Sequence, residues 1–167
     1  IEAMGRDAGW LAASSALAKQ SEDDAPHLIL LPEKDFDLER FLEEVKRLYD
    51  RSRRAVVVVS EGIRPGGKPI ARSDRQDEFG HPVLGGGALY LADNIEDRLH
   101  RKVRWDKPGT LHRTFSYCVS QADADETYLV GQMAVRHAAE GKTGYMVTLE
   151  RTSDDPYTCE PGLTELV

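Results

Sequence analysis

Apolar positions along this chain follow two rhythms. His27-Leu28-Ile29-Leu30-Leu31, closed by Pro32, and Ala55-Val56-Val57-Val58-Val59 are short unbroken apolar runs. Runs of that length mark buried strands. The second, four of whose five residues are β-branched, predicts a central strand covered on both faces. Between them Leu38, Phe41, Leu42, Val45, Leu48 and Tyr49 recur at helical spacing behind Asp37, a residue type that starts helices. Leu89, Leu91, Ala92, Ile95 and Leu99 mark a further helix from Gly87. Tyr128, Val130, Met133, Ala134, Val135 and Ala138 mark another, from about Ala122 to Glu140, with Gly141 as its stop.

The remaining segments read less regularly. Ile1 to Trp10 predicts a strand end that breaks at Met4-Gly5-Arg6 into a helix over Ala8–Lys19, capped by Asp7. From Gly62 to Pro82, Gly, Pro and charged residues interrupt every period and predict a long surface loop. Lys102–Asp106 reads as a short strand stopped by Pro108-Gly109, and Tyr145–Leu149 as the last strand. Strand and helix alternate throughout. That pattern predicts an α/β fold, a doubly wound, mostly parallel sheet with helices on both faces. A length of 167 residues suits a single domain over 1–167. The chain starts without Met and ends inside a pattern at Glu160–Val167, so both ends read as cut.

Charge and composition narrow the partners. A net charge of −7 disfavours nucleic acid, whose binding rests on cationic surfaces. No run approaches the roughly 20 apolar residues of a membrane span, so no membrane partner is expected. Cys118 and Cys159 lie outside any metal-binding spacing and read as reduced thiols of a cytoplasmic protein. Asp154-Asp155 has no third ligand at metal spacing, so no metal site is expected among these residues.

In open α/β sheets, ligands bind beyond the carboxyl ends of the strands. Here those ends deliver Met4, Gly5 and Arg6, then Pro32 and Glu33, then Ser60, Glu61 and Gly62. Arg104 and Asp106 follow, with Thr110, His112 and Arg113 in the next loop. An arginine fork matches phosphate oxygens in pairs, and a carboxylate accepts a hydrogen bond from a sugar hydroxyl. A phosphorylated sugar would suit that set. The competing reading pairs Arg6, Arg104 and Arg113 with some of the 29 acidic side chains as ordinary surface residues. Gly85-Gly86-Gly87 before a helix is either a tight turn or a phosphate cradle lacking a P-loop's Lys-Ser/Thr. His112 is either an acid/base or a hydrogen-bonding loop residue. Arg51-Ser52-Arg53-Arg54 compensates a helix C-terminus.

Four segments in order resemble the phosphofructokinase family. They are Glu2–Ala12 with its Met4-Gly5-Arg6, Ser60-Glu61-Gly62, Phe79-Gly80-His81 with Leu84-Gly85-Gly86, and Arg104–Arg113. The resemblance implies transfer of a phosphoryl group to the 1-hydroxyl of fructose 6-phosphate, giving fructose 1,6-bisphosphate. It implies that Met4, Gly5 and Arg6 hold the sugar, with Arg6 also stabilising charge on the transferring group. It gives Glu61 a sugar hydroxyl, and gives Arg104, Thr110 and Arg113 the 6-phosphate, with Arg104 reaching a neighbouring subunit of a dimer or tetramer. Thr110 departs from the family's usual His or Tyr, and His112 from its Gln. Trp105–Gly109, Arg113-Thr114-Phe115 and Met146–Leu149 look more like pyrophosphate-dependent members, so pyrophosphate is the expected donor and ATP the alternative. The family's donor loop and catalytic Asp belong upstream of Ile1, as does most of the Mg²⁺ site. On that basis the chain is expected to be the sugar-phosphate half of an enzyme and inactive alone, with 120–167 packing against the absent half. A non-catalytic sugar-phosphate-binding regulatory subunit is the alternative of a different class.

Overall fold

The valine run becomes β3 (Val57–Ser60), the middle strand of a three-stranded parallel sheet in the computed structural model. That model describes residues 1–68, 70–76 and 82–166, with backbone alone for 71–76 and 82–84. β1 (Glu2–Ala3) pairs on one side, Glu2 opposite Val59. β2 (Leu28–Leu30) pairs on the other, Leu28 opposite Val57. Because side chains alternate along a strand, successive valines serve opposite faces. Val58 joins Ala3 and Ala12 in a small cluster with α1 (Trp10–Ser14). Val59 joins the larger core built from α2 (Leu38–Ser52) and α3 (Gly87–Leu99), among them Phe41, Leu42, Val45, Leu91 and Ile95. The predicted α/β layering is present, with helices on both faces.

α2 follows its sequence pattern closely. The Asp37 carboxylate accepts the Arg40 N–H at 3.1 Å, and Phe41, Leu42, Val45 and Leu48 are buried. Arg53 ends the helix in the left-handed conformation at φ 57°.

Other segments depart from expectation for local reasons. α1 starts at Trp10 instead of Ala8 and passes into a 3-10 turn over Ser15–Ala18. Asp7 does not cap it, because its carboxylate pairs with Arg64. Glu33, just beyond β2, instead accepts the Gly9 N–H at 2.6 Å. The stretch from Gly62 to Pro82 is not simply a loop. Ile63 is completely buried in the larger core, and β4 (Ala71–Gln76) pairs antiparallel with β5 (Pro82–Leu84). Lys102–Asp106 forms no strand. It meets β1 where the Asp106 carbonyl accepts the Glu2 N–H at 2.8 Å, and a two-residue β1 is too short to template a longer ladder. Leu89 is 42% exposed, since Ala88, Leu91, Ala92 and Ile95 already define the buried stripe of α3.

Residues 1–113 and 114–167 form two compact units, and α4 (Leu111–Thr114) is a single turn at the boundary. In the second unit Ser120 accepts the Asp123 N–H at 3.3 Å and starts α5 (Gln121–Ala139). β6 (Tyr145–Asp154) then pairs antiparallel with β7 (Tyr157–Glu165), Tyr145 opposite Glu165. The last predicted strand therefore runs past Leu149 and pairs outside the parallel sheet. Only Asp155 and Pro156 separate β6 from β7, and so short a connection permits antiparallel pairing alone. Among the described residues no helix is long and apolar enough to cross a membrane.

Candidate active site

The carboxyl ends of β1 and β3 lie side by side, which brings two distant motifs into contact. Past Ala3 the backbone turns sharply, with Gly5 at φ 142° and Arg6 at φ 42°. Only glycine adopts the first value readily, and a side chain at the second is under strain. The turn closes through the Ala8 N–H to the Gly5 carbonyl at 2.8 Å. Gly62 makes it possible from the other side. A Cβ there would fall inside the Arg6 carbonyl oxygen, so the Arg6 backbone rests directly on Gly62.

Glu61 follows β3 and is buried. Its Oε1 accepts the Gly5 N–H at 3.2 Å, and its Oε2 lies 3.5 Å from the Lys107 ammonium. Lys107 is held more tightly by Glu2, whose Oε1 is 2.7 Å away and whose side chain has no solvent exposure. Glu2 also accepts the Gly86 N–H at 3.1 Å and the Ala88 N–H at 3.0 Å, so its carboxylate sits on the first turn of α3. Burial by itself pulls the Lys107 pKa down. The hydrogen bond and charge of Glu2, with the charge of Glu61, outweigh it and hold Lys107 above the usual lysine value. Gly85, at φ 141°, leaves the space: a Cβ there would lie 2.7 Å from Nζ of Lys107.

The Gly85-Gly86-Gly87 turn thus has a defined task. It is a tight turn whose helix N-terminus already carries an anion, the chain's own Glu2. Met4 and Gly5 are half-buried, and Arg6 is exposed at the corner above Glu61. Thr110 and Arg113 are exposed, on the turn before α4 and on α4 itself, where the Arg113 N–H donates to the Thr110 carbonyl at 2.9 Å. His112 between them has Nδ1 buried without a hydrogen-bond partner. Arg104 is exposed and lines a cavity of about 520 Å³ with Ile1, Val57, Val103 and Trp105, at the amino ends of the strands. Neither Gly5, Glu61 nor Arg113 lines that cavity. Met4–Arg6 and Glu61 are therefore gathered at one corner, and Arg104 is not gathered with them. Phe79, Gly80 and His81 lie outside the described residues. Among the described residues no cluster of three or more His, Cys, Asp or Glu side chains forms.

Glu2 and Lys107 escaped the sequence reading. A carboxylate inside a two-residue strand is one signal, since a buried charge demands a partner. Nothing local identifies that partner 105 positions away.

A family model described as phosphofructokinase matches residues 1–137. The chain belongs to the phosphofructokinase family. Over 158 residues, 93% of its length, it is 44% identical to the pyrophosphate–fructose 6-phosphate 1-phosphotransferase of Xanthomonas campestris. Its identity to the enzyme of the same name from Halomonas elongata is 42%, over 94% of its length. It spans 38% of each of those relatives. The crystal structure of a pyrophosphate-dependent phosphofructokinase from Marinobacter aquaeolei matches 98% of the chain at a TM-score of 0.76 and 35% identity, and 38% of that structure is covered. The phosphofructokinase fold accounts for the parallel sheet and flanking helices.

Proposed function

We propose that this chain is the sugar-phosphate-binding part of a pyrophosphate-dependent 6-phosphofructokinase. The observation that carries the reading is the Gly5–Glu61 hydrogen bond at 3.2 Å, which joins two family motifs 56 positions apart at neighbouring strand ends. The names of its relatives support pyrophosphate as the donor.

In this reading Met4 and Gly5 form one wall of the fructose 6-phosphate site and Glu61 accepts a hydrogen bond from a sugar hydroxyl. Thr110 and Arg113 bind the 6-phosphate, and Arg104, turned away from Glu61, serves the site of a neighbouring subunit in a homo-oligomer. The 1-hydroxyl oxygen of the sugar attacks the terminal phosphorus of pyrophosphate. A P–O bond forms to that oxygen, the bridging P–O bond breaks, phosphate leaves, and the hydroxyl proton passes to a base. Arg6 stabilises the negative charge that spreads over the transferring group. The base lies outside this chain. Mg²⁺, which neutralises the donor's oxygens in such reactions, is also held outside it, since Glu2 and Glu61 already face the Lys107 ammonium. Residues 120–167 pack against the remainder of the enzyme, in keeping with Tyr128 and Val135 on α5, each 70% exposed. The setting is cytoplasmic glycolysis or gluconeogenesis.

Calorimetry with fructose 6-phosphate on the full-length protein tests the site. Arg113→Ala and Arg104→Ala should each weaken binding by about 1.5–3 kcal/mol, the range for charge-assisted hydrogen bonds. A loss under ten-fold for both rejects the assignment. The 167-residue chain alone should show no turnover in a coupled assay.

A further inference from the structure

Lys107 has no part in the scheme above, yet it is built into the site. Its Nζ makes a 2.7 Å ion pair with Glu2, and Glu2 is itself fixed by two backbone N–H donors of α3. The ammonium is therefore anchored from behind. On its other side Oε2 of Glu61 lies at 3.5 Å, near the limit of a hydrogen bond. At that separation the interaction is mainly between charges, and Oε2 keeps lone pairs for a ligand. Oε1 of Glu61 is already taken by the Gly5 N–H. The backbone opens at Gly85 to admit the ammonium, where any larger residue would intrude on it.

We infer that Lys107 is a positioning residue for Glu61: anchored on Glu2, it holds the Glu61 carboxylate oriented to accept a sugar hydroxyl. This rests on the fructose 6-phosphate reading of the site. Two carboxylates share one ammonium, so without Lys107 the cluster holds two like charges that repel, and Glu61 loses the contact that fixes Oε2. Lys107 faces Glu61 from the segment after α3, and Glu2 on β1 faces it through Lys107. Arg6 and Asp7 are the charged residues of the loop after β1, and Arg64 follows Glu61 on its own segment. Asp7 and Arg64 pair with each other, whereas Lys107 sits against the carboxylates of both Glu2 and Glu61.

The test uses full-length enzyme carrying Lys107→Gln or Lys107→Arg, with kcat and KM for fructose 6-phosphate measured separately. Lys107→Gln should raise KM about ten-fold, as expected for losing one charge-assisted contact. The effect should fall on KM, with kcat changed far less. Lys107→Arg, which keeps the cation, should restore KM. In a Glu61→Gln background, Lys107→Gln should change the fructose 6-phosphate affinity less than two-fold, because the carboxylate it acts through is gone. An unchanged KM in Lys107→Gln overturns the inference, as does a KM raised ten-fold in a folded Lys107→Arg, which carries the test if the glutamine variant does not fold. Inactivity of the wild-type enzyme towards fructose 6-phosphate overturns the site reading itself, and so separates the two failures.

Discussion

Replacing Gly62 with alanine should dislodge the corner that carries Arg6. The added methyl group would overlap the Arg6 carbonyl oxygen, a backbone atom that cannot rotate away as a flexible side chain would. The strain has few outlets. Gly5 and Arg6 are already at positive φ, and the Gly5 N–H is tied to Glu61. Forced overpacking in tight sites costs about 1–3 kcal/mol and at times more, and the upper end applies where the obstacle is main chain. Urea unfolding measures that loss. Calorimetry should show a second, separate loss of fructose 6-phosphate affinity, because the Met4–Arg6 wall moves with the corner. Wild-type values in both measurements would refute the close approach.

Glu2→Ala should be strongly destabilising. Glu2 has no solvent exposure, and its removal leaves the Gly86 and Ala88 N–H groups without their acceptor and Lys107 without its anchor. Breaking a buried pair by deleting one partner costs about 3–5 kcal/mol. The lower end applies here, since Lys107 keeps 34% exposure and water screens its stranded charge. The pH dependence has a definite sign. The folded-state pKa of Lys107 is raised, so its contribution is complete below the ordinary lysine value and is lost as pH rises through the folded value. Wild type and Glu2→Ala should therefore differ fully in urea midpoint at neutral pH, and the gap should narrow in strong alkali to what the Gly86 and Ala88 N–H groups lose.

Periodicity carried the reading of this fold wherever a segment had a single environment. α2 and β3 are such segments: one buries a stripe, the other two whole faces, and both patterns stand out in the linear order of residues. Ile63 shows the limit. It is flanked by Gly62 and by Arg64-Pro65-Gly66, so nothing periodic surrounds it, yet it plugs the larger core. The β4–β5 ladder was hidden in the same way, by polar strands such as Ala71-Arg72-Ser73-Asp74 that carry no apolar run. Topology made the meeting of Gly5 and Glu61 legible, because parallel strands in adjacent positions present their carboxyl ends together. The Glu2–Lys107 pair was beyond reach for the opposite reason. It depends on where the chain returns after α3, and the Asp106-Lys107-Pro108 stretch looks like any charged turn.

Each of the three parallel strands ends near a carboxylate, and each carboxylate accepts at least one main-chain amide. Glu2 takes those of Gly86 and Ala88, Glu33 that of Gly9, and Glu61 that of Gly5. At a distance a polypeptide of net charge −7 repels an anionic sugar ester. Within a few ångströms of the sheet edge those amides, with the Lys107 ammonium beside Glu2 and Glu61, offset part of that repulsion. On the proposed reading, recognition of such an ester is a contact-range affair, without the long-range funnelling by which strongly basic clefts speed the arrival of their ligands.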